Sequence, residues 1–189
     1  MTPDPHPWAA DLSALHAQVW LRLSRGVRDR RAASRHPTLA TVSREGRPEA
    51  RTVVLRAVDA AGGTLDIHTD TLSAKVAELC ANPFAALHVW DSGAHLQIRL
   101  EADVTILTGL DVAALWARVP DAARTAYGGS PAPGGPLADA LAYDKTPDPA
   151  RFAVVRLQVR AMDVLHLGPD HRRARFVRAD GWSGTWLVP

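Results

Sequence analysis

The 189-residue sequence predicts a mainly β (α+β) fold, an antiparallel barrel with helices only at its margins. Three observations predict it. Roughly seven or eight short, β-branched-rich segments follow one another between Gly/Pro turns. The segment Leu96 to Leu107 alternates Leu96, Ile98, Leu100, Ala102, Val104 and Ile106 on one face against Gln97, Arg99, Glu101, Asp103 and Thr105 on the other. No Gly-rich phosphate fingerprint opens a helix: Gly62-Gly63 stands in a strand-to-strand turn, and Gly134-Gly135 lacks a following Lys-Ser/Thr. A parallel nucleotide-binding sheet and a P-loop are therefore disfavoured.

Taken in order, Trp8, Leu12, Leu15, Val19 and Leu23 give the spacing of an amphipathic helix, which places an N-terminal helical segment within residues 1–31, with Asp4-Pro5 as a start. Thr38–Ser43 and Ala50–Val58 form a hairpin across the turn at Arg44–Pro48, and Thr64–Thr69 is the third strand. Ser73–Cys80 is a short helix capped by Ser73, with a Glu78–Lys75 contact possible, and Asn82-Pro83 ends it. Phe84–Trp90 and Leu96–Leu107 are strands, the second the longest expected. Leu110–Arg118 and Asp121–Ala126 are expected helical. Residues 128–150 hold several Pro and two Gly-rich spots and form a long loop. Phe152–Ala161 alternates again, with Ala153, Val155, Leu157 and Val159 inward. Residues 172–189 make a final hairpin of Arg172–Arg178 and Trp182–Val188.

Composition bounds the function. The length suits a single domain over 1–189, and no apolar run reaches the roughly 20 residues of a membrane helix, so a soluble, cytoplasmic protein is expected. Cys80 is the sole cysteine, which excludes an internal disulfide and a Cys-based zinc site. His88 and His95 lack a third ligand at suitable spacing, so no metal is expected. Lys75 and Lys145 are the only lysines among 22 basic residues. That skew is either codon usage or recognition of phosphate and carboxylate by guanidinium forks. A nucleic-acid role, suggested by pI ≈ 9.1, ranks last because the arginines are dispersed without interleaved aromatics.

Motifs in fixed order carry a more specific reading. They are Arg51-Thr52-Val53-Val54-Leu55-Arg56, then His68-Thr69-Asp70 followed by Ser73-Ala74-Lys75, then Asn82–Trp90, then Gln97-Ile98-Arg99, with His171–Phe176 and a closing Trp186–Pro189. This series resembles the FMN-binding split β-barrel of the pyridoxamine 5'-phosphate oxidase family, in its oxidase-related variant branch. The resemblance implies FMN as cofactor, held by residues 51–56, His68, Thr69, Ser73, Lys75, Gln97, Arg175 and Trp186. It also implies a homodimer with FMN in the groove between two barrels. Arg51 and Lys75 offer opposite charge to the phosphate, Thr69 and Ser73 offer hydroxyls, and the helix after Ser73 offers its positive end. Arg56, also the one candidate for a catalytic role, and Gln97 would meet the pyrimidine edge of the ring. For Gln97 a solvated side chain is the alternative. Arg51 and Arg56, five residues apart, would point to opposite faces of a regular strand about 16 Å apart, so either a bulge re-aims one or the two serve different ends of the cofactor.

The substrate side departs from the family pattern. Leu115–Pro120 and Ala123–Tyr127 only loosely resemble the stretch that binds substrate phosphate, Arg173 stands where a substrate-contacting histidine is expected, Ala74 replaces a basic residue, and Arg56 replaces a common lysine. Arg124, Arg172 and Arg173 are the candidate anion clamps for a small, possibly phosphorylated substrate, with solvated surface charges the alternative. The implied activity is oxidation of an amine or alcohol to an aldehyde, with hydride passing to FMN and reoxidation by dioxygen. Rival readings are a reductase fed by a nicotinamide or deazaflavin, and a non-catalytic flavin or haem barrel using His68 or His166.

Overall fold

Asp11 starts the first helix. Its carboxylate accepts a hydrogen bond from the amide of Ala14 at 2.7 Å, which fixes the start of α1 at Leu12–Arg28. The expected start at Asp4-Pro5 is thus too early; Pro7–Ala10 forms a separate 3-10 turn. The computed structural model describes residues 4–189. Leu15, Val19, Trp20 and Leu23 form the buried stripe of α1, each large apolar side chain contributing about 1.5–3 kcal/mol on burial. At Gly26 a Cβ would come within 2.7 Å of the Ser34 carbonyl carbon, so the helix end and the following turn touch backbone to backbone.

Nine strands are found among the described residues: β1 Thr38–Val42, β2 Pro48–Thr52, β3 Leu55–Asp59, β4 Thr64–Asp70, β5 Phe84–Asp91, β6 Leu96–Thr108, β7 Phe152–His166, β8 Arg172–Val177 and β9 Gly184–Leu187. All pairings are antiparallel, in the order β2-β1-β5-β6-β7-β4-β3, with β8 on β7 and β9 on β8. The first part of β7, Phe152–Gln158, pairs with β4; the last part, Ala161–His166, pairs with β8. The β6–β7 register shifts where Glu101 faces Ala161 and Ala102 faces Val159, so Arg160 is the extra residue of a bulge. One strand therefore serves two neighbours, and the sheet opens between them.

Three expected strands change. Ala50–Val58 is two strands, β2 and β3, broken at Val53-Val54, where Val53 turns into the core and donates its N–H to the Pro37 carbonyl at 3.0 Å. The longest strand is β7 at 15 residues, not β6 at 13. Phe152, Ala153, Val154 and Val155 are all buried, because β7 has a core on each side here. The barrel interior takes Val155, while Phe152 and Val154 join Val112, Val119 and Tyr127 in a second cluster outside it. The C-terminal strand is shorter than expected: Trp182 has φ 64° and leaves the strand to pack near His16 and Trp20.

Helix α2, Ala74–Ala81, follows β4. The predicted helix at Leu110–Arg118 is a 3-10 turn, Gly109–Val112, running into the single helical turn α3, Ala113–Trp116; another turn, α4, covers Asp121–Arg124. The 128–150 loop is tied at its base, where Gly128 N–H donates to Asp70 at 2.9 Å and Asp148 N–H to the Tyr127 carbonyl at 3.0 Å. No helix among the described residues is long and apolar enough to cross a membrane.

Candidate functional site

Four residues expected to hold a phosphate gather where β4 runs into α2. Thr69 and Ser73 are buried, and their hydroxyls lie 3.0 Å apart. Lys75 Nζ donates to Thr69 Oγ1 at 3.1 Å. Ser73 occupies the N-cap position, but its hydroxyl engages Thr69 and not a first-turn amide; Val76 N–H donates to the Ser73 carbonyl at 2.9 Å, and the Ser73 side chain leaves the earlier amides of the turn uncapped. Burial lowers the Lys75 pKa below the usual lysine value; the Arg51 charge lowers it further, while Glu78 and Asp70 oppose the shift. Two cations thus lie close enough to repel each other. Asp70 is already committed, accepting from Arg151 at 2.8 Å and from the backbone of Leu72 and Gly128.

Arg51 is held from behind. Its Nη2 donates to Glu78 Oε2 at 2.9 Å, its Nη1 donates to Thr41 Oγ1, and the Thr41 hydroxyl donates to the same Glu78 oxygen at 2.5 Å. The expected Glu78–Lys75 surface contact is replaced by this buried bridge from α2 to β1 and β2. Sequence reasoning gave Glu78 only that helical contact and no part in the site; its place between buried Val76 and Leu79 was the available signal.

Arg56 answers the spacing problem with a bulge. Leu55 pairs with Ile67 and Ala57 with Asp66, so Arg56 is the extra residue and turns out of the regular alternation. It lines a pocket of about 210 Å³ with His68, Tyr127, Leu115, Arg118 and Ala123. Its Nε is buried without a hydrogen-bond partner among the described residues. His68 stands edge-on to Phe152 at 4.9 Å, and burial, aided by Arg56, lowers its pKa to about 4, so it is neutral at neutral pH. Tyr127, the second residue the sequence did not single out, is 5% exposed; burial raises its pKa while Arg56 pulls the other way. Thr52, Val53, Val54 and Leu55 are the segment between the two arginines, and Val53 and Leu55 face the core.

Gln97 and Arg175 lie elsewhere. Gln97 faces Leu165 on β7, and Arg175 faces Asp163, whereas His68 faces Val154 and Ile67, beside Arg56, faces Val155. Val155 and Leu165 are ten residues apart, roughly 33 Å along an extended strand. Gln97 and Arg175 share the outer face of the sheet. Arg175 grips Glu101 at 3.0 and 2.9 Å and, with Ala40, Val42, Phe84 and Ala86, lines a groove of about 910 Å³ there. Trp186 pairs with Ala174, while Arg175 pairs with Thr185, so Trp186 projects from the opposite face of the β8–β9 ribbon and does not join Arg175 on one surface.

The three candidate substrate clamps do not converge. Arg124 caps its own neighbourhood, bonded to Asp121 at 2.9 Å and to the Trp116 and Ala117 carbonyls. Arg172 donates to Asp4 at 2.6 Å. Arg173 makes a two-pronged contact with Asp163 at 3.0 and 2.8 Å, which lowers the pKa of that carboxyl.

The profile of the "Pyridoxamine 5'-phosphate oxidase, FMN-binding domain" family matches residues 7–108. A pyridoxine/pyridoxamine 5'-phosphate oxidase of Deinococcus deserti is 31% identical over 95% of this chain and 92% of its own length. The chain belongs to the pyridoxamine 5'-phosphate oxidase family. Oxidases of that description from Cyanothece and Microcystis aeruginosa are 43% and 45% identical, but the matched stretches span only 34% and 37% of those proteins. The crystal structure of a pyridoxamine 5'-phosphate oxidase-related, FMN-binding protein of Nostoc punctiforme superposes with a TM-score of 0.76 at 26% identity, covering both chains completely. PhzG of Burkholderia lata shares the split-barrel fold, at a TM-score of 0.69 and 21% identity over 100% of this chain and 98% of its own.

FMN is the cofactor of this family's domain, and the residues present fit it. Two mutually repelling cations beside two hydroxyls and a helix N-terminus form a donor set whose repulsion a phosphate dianion would relieve.

Proposed function

We propose that this chain is an FMN-dependent oxidoreductase acting as a homodimer, with each flavin shared between subunits. The observation that carries the reading is the gathering of Arg51, Thr69, Ser73 and Lys75 at the start of α2. Arg51 and Lys75 hold the phosphate by charge, Thr69 and Ser73 donate to its oxygens, and the α2 amides add the helix field. Bound FMN supplies the redox chemistry, taking a hydride from an amine or alcohol carbon and returning two electrons to dioxygen as hydrogen peroxide. Arg56, brought beside His68 and Tyr127 by its bulge, has a free buried Nε to donate to a ring or substrate acceptor. Neutral His68 adds no positive charge to that pocket, which Arg56 shares with Arg118. Gln97 and Arg175 are too far from Arg56 to reach the same ring within one chain, so the reading assigns them to the flavin of the neighbouring subunit across the apolar groove at Phe84.

Purified protein should be yellow, with the absorption bands of oxidised flavin and FMN as the released species. Replacing Arg51 or Lys75 by Ala should weaken retention; if neither does, the phosphate assignment is wrong. Hydrogen peroxide released with amines or alcohols would support the oxidase reading, whereas flavin-dependent oxidation of NAD(P)H without it would refute it in favour of a reductase.

A further inference from the structure

Glu78 is a carboxylate placed in the wall of a site built for an anion. It is 8% exposed, and its partners are Arg51 and Thr41. A carboxylate near a phosphate costs binding energy by repulsion, so its presence needs a compensating role.

We propose that Glu78 is a positioning residue for the cofactor phosphate, acting through Arg51, and so sets the preference of the site for FMN over riboflavin. The inference rests on the assignment of the phosphate to Arg51 and Lys75. A guanidinium has five N–H donors arranged along two usable edges. Glu78 and Thr41 take Nη2 and Nη1, and no hydrogen bond from Nε to protein is found among the described residues. The edge left for an anion is therefore the Nε edge, fixed in orientation by the contact behind it. Glu78 also opposes the lowering of the Lys75 pKa by burial and by Arg51, which helps that ammonium stay charged before the cofactor arrives. Glu78 and Lys75 sit on the same short helix, so one element carries both the phosphate ligand and the brace for the other.

The test is a titration of the full chain, stripped of flavin and refilled with FMN or with riboflavin, which lacks the phosphate. Arg51→Ala should collapse the ratio of the two dissociation constants. Glu78→Ala should lower the preference for FMN about 10-fold, the size of one well-aligned charged hydrogen bond, and leave riboflavin affinity nearly unchanged. Glu78→Gln should restore most of the preference, since its amide oxygen still accepts from Arg51. Should Glu78→Ala fail to fold, Glu78→Asp keeps the charge but falls one methylene short of Arg51, and the same loss of preference is expected. An unchanged ratio in Glu78→Ala or in Glu78→Asp, a tighter grip on FMN, or an equal loss for both flavins would overturn the proposal, the last showing a merely structural role. If Arg51→Ala itself leaves the ratio unchanged, the phosphate assignment fails and this inference falls with it.

Discussion

If each flavin is shared, residues at the two ends of β7 must complement between chains. Consider one chain carrying Arg56→Ala with Lys75→Ala, and a second carrying Gln97→Leu with Arg175→Ala. Each pair removes at least one charged hydrogen bond to the cofactor, so about 2 kcal/mol and roughly 30-fold in affinity is a modest estimate for either. Loss of Arg175 should cost little stability, because its partner Glu101 and it are 43% and 37% exposed in their side chains. The structural premise is the roughly 33 Å along β7 between the levels of Arg56 and Gln97, several times the length of a three-ring isoalloxazine.

Symmetry then sets the numbers. Random pairing of the two variants makes about half of all dimers mixed, and in a twofold dimer each mixed pair has one intact site of two, or about 25% of wild-type capacity overall. If each site were built within one chain, the same mixture would give none. The reciprocal mixture is sharper still. Wild type combined with a chain carrying all four changes should retain about 25% if sites are shared and about 50% if they are not. Co-expression of differently tagged chains, with bound FMN counted per chain at a concentration between the two dissociation constants, reads these fractions. Zero in the first mixture and half in the second would refute the shared site.

Further expectations concern the fold and its pH range. His68 has its pKa lowered from 6.5 to about 4, so the unfolded chain binds a proton that the folded one refuses; stability is intact above pH 6.5 and falls as pH drops toward 4, by at most about 3 kcal/mol. His68→Phe should flatten that part of the stability profile in urea melts at several pH values; an unchanged slope would show that His68 is solvated. Phe152→Ala should destabilise by about 3–5 kcal/mol, since its fully buried ring supports Tyr127, Trp116 and His68 together; a loss below 1 kcal/mol by calorimetry would contradict that packing. Gly26→Ala should cost about 1–3 kcal/mol, because the new Cβ meets Ser34 backbone at 2.7 Å, and a neutral melting shift would mean that the turn after α1 yields.

Period and order made much of this legible from the sequence. The alternation of Leu96 to Val104 survives in burial, and the motif order Arg51, Thr69, Ser73, Lys75 marks residues that the fold brings together. What escaped notice depended on pairing, which no local pattern records. The break at Val53-Val54 arises because β2 finds its partner in β1 and β3 in β4, two neighbours at opposite ends of the sheet order. The run Phe152–Val155 reads as alternation until the short helices at 109–124 cover its second face. Glu78 and Tyr127 owe their importance to tertiary neighbours 37 and 71 positions away in sequence, Thr41 and Arg56. Trp186 was assigned by its place in a terminal motif, and only the β8–β9 register shows which face it takes.

The arginines proposed for the substrate and ring ends differ in their partners. Arg124, Arg172, Arg173 and Arg175 each have a carboxylate of this chain within 3.0 Å, so an incoming anionic substrate would have to displace an existing partner, and at Arg173 that partner, Asp163, would be left with Arg99 alone. Arg56 is different: its Nε is buried with no hydrogen-bond partner among the described residues, and the pocket beside it is lined by neutral His68, Tyr127, Arg118, Asp66 and the apolar walls of Leu115 and Ala123. An acceptor there completes a hydrogen bond without breaking one. On the proposed reading, a substrate or ring edge bound at Arg56 therefore costs less than an anion bound at the three C-terminal arginines, each of which already holds a carboxylate.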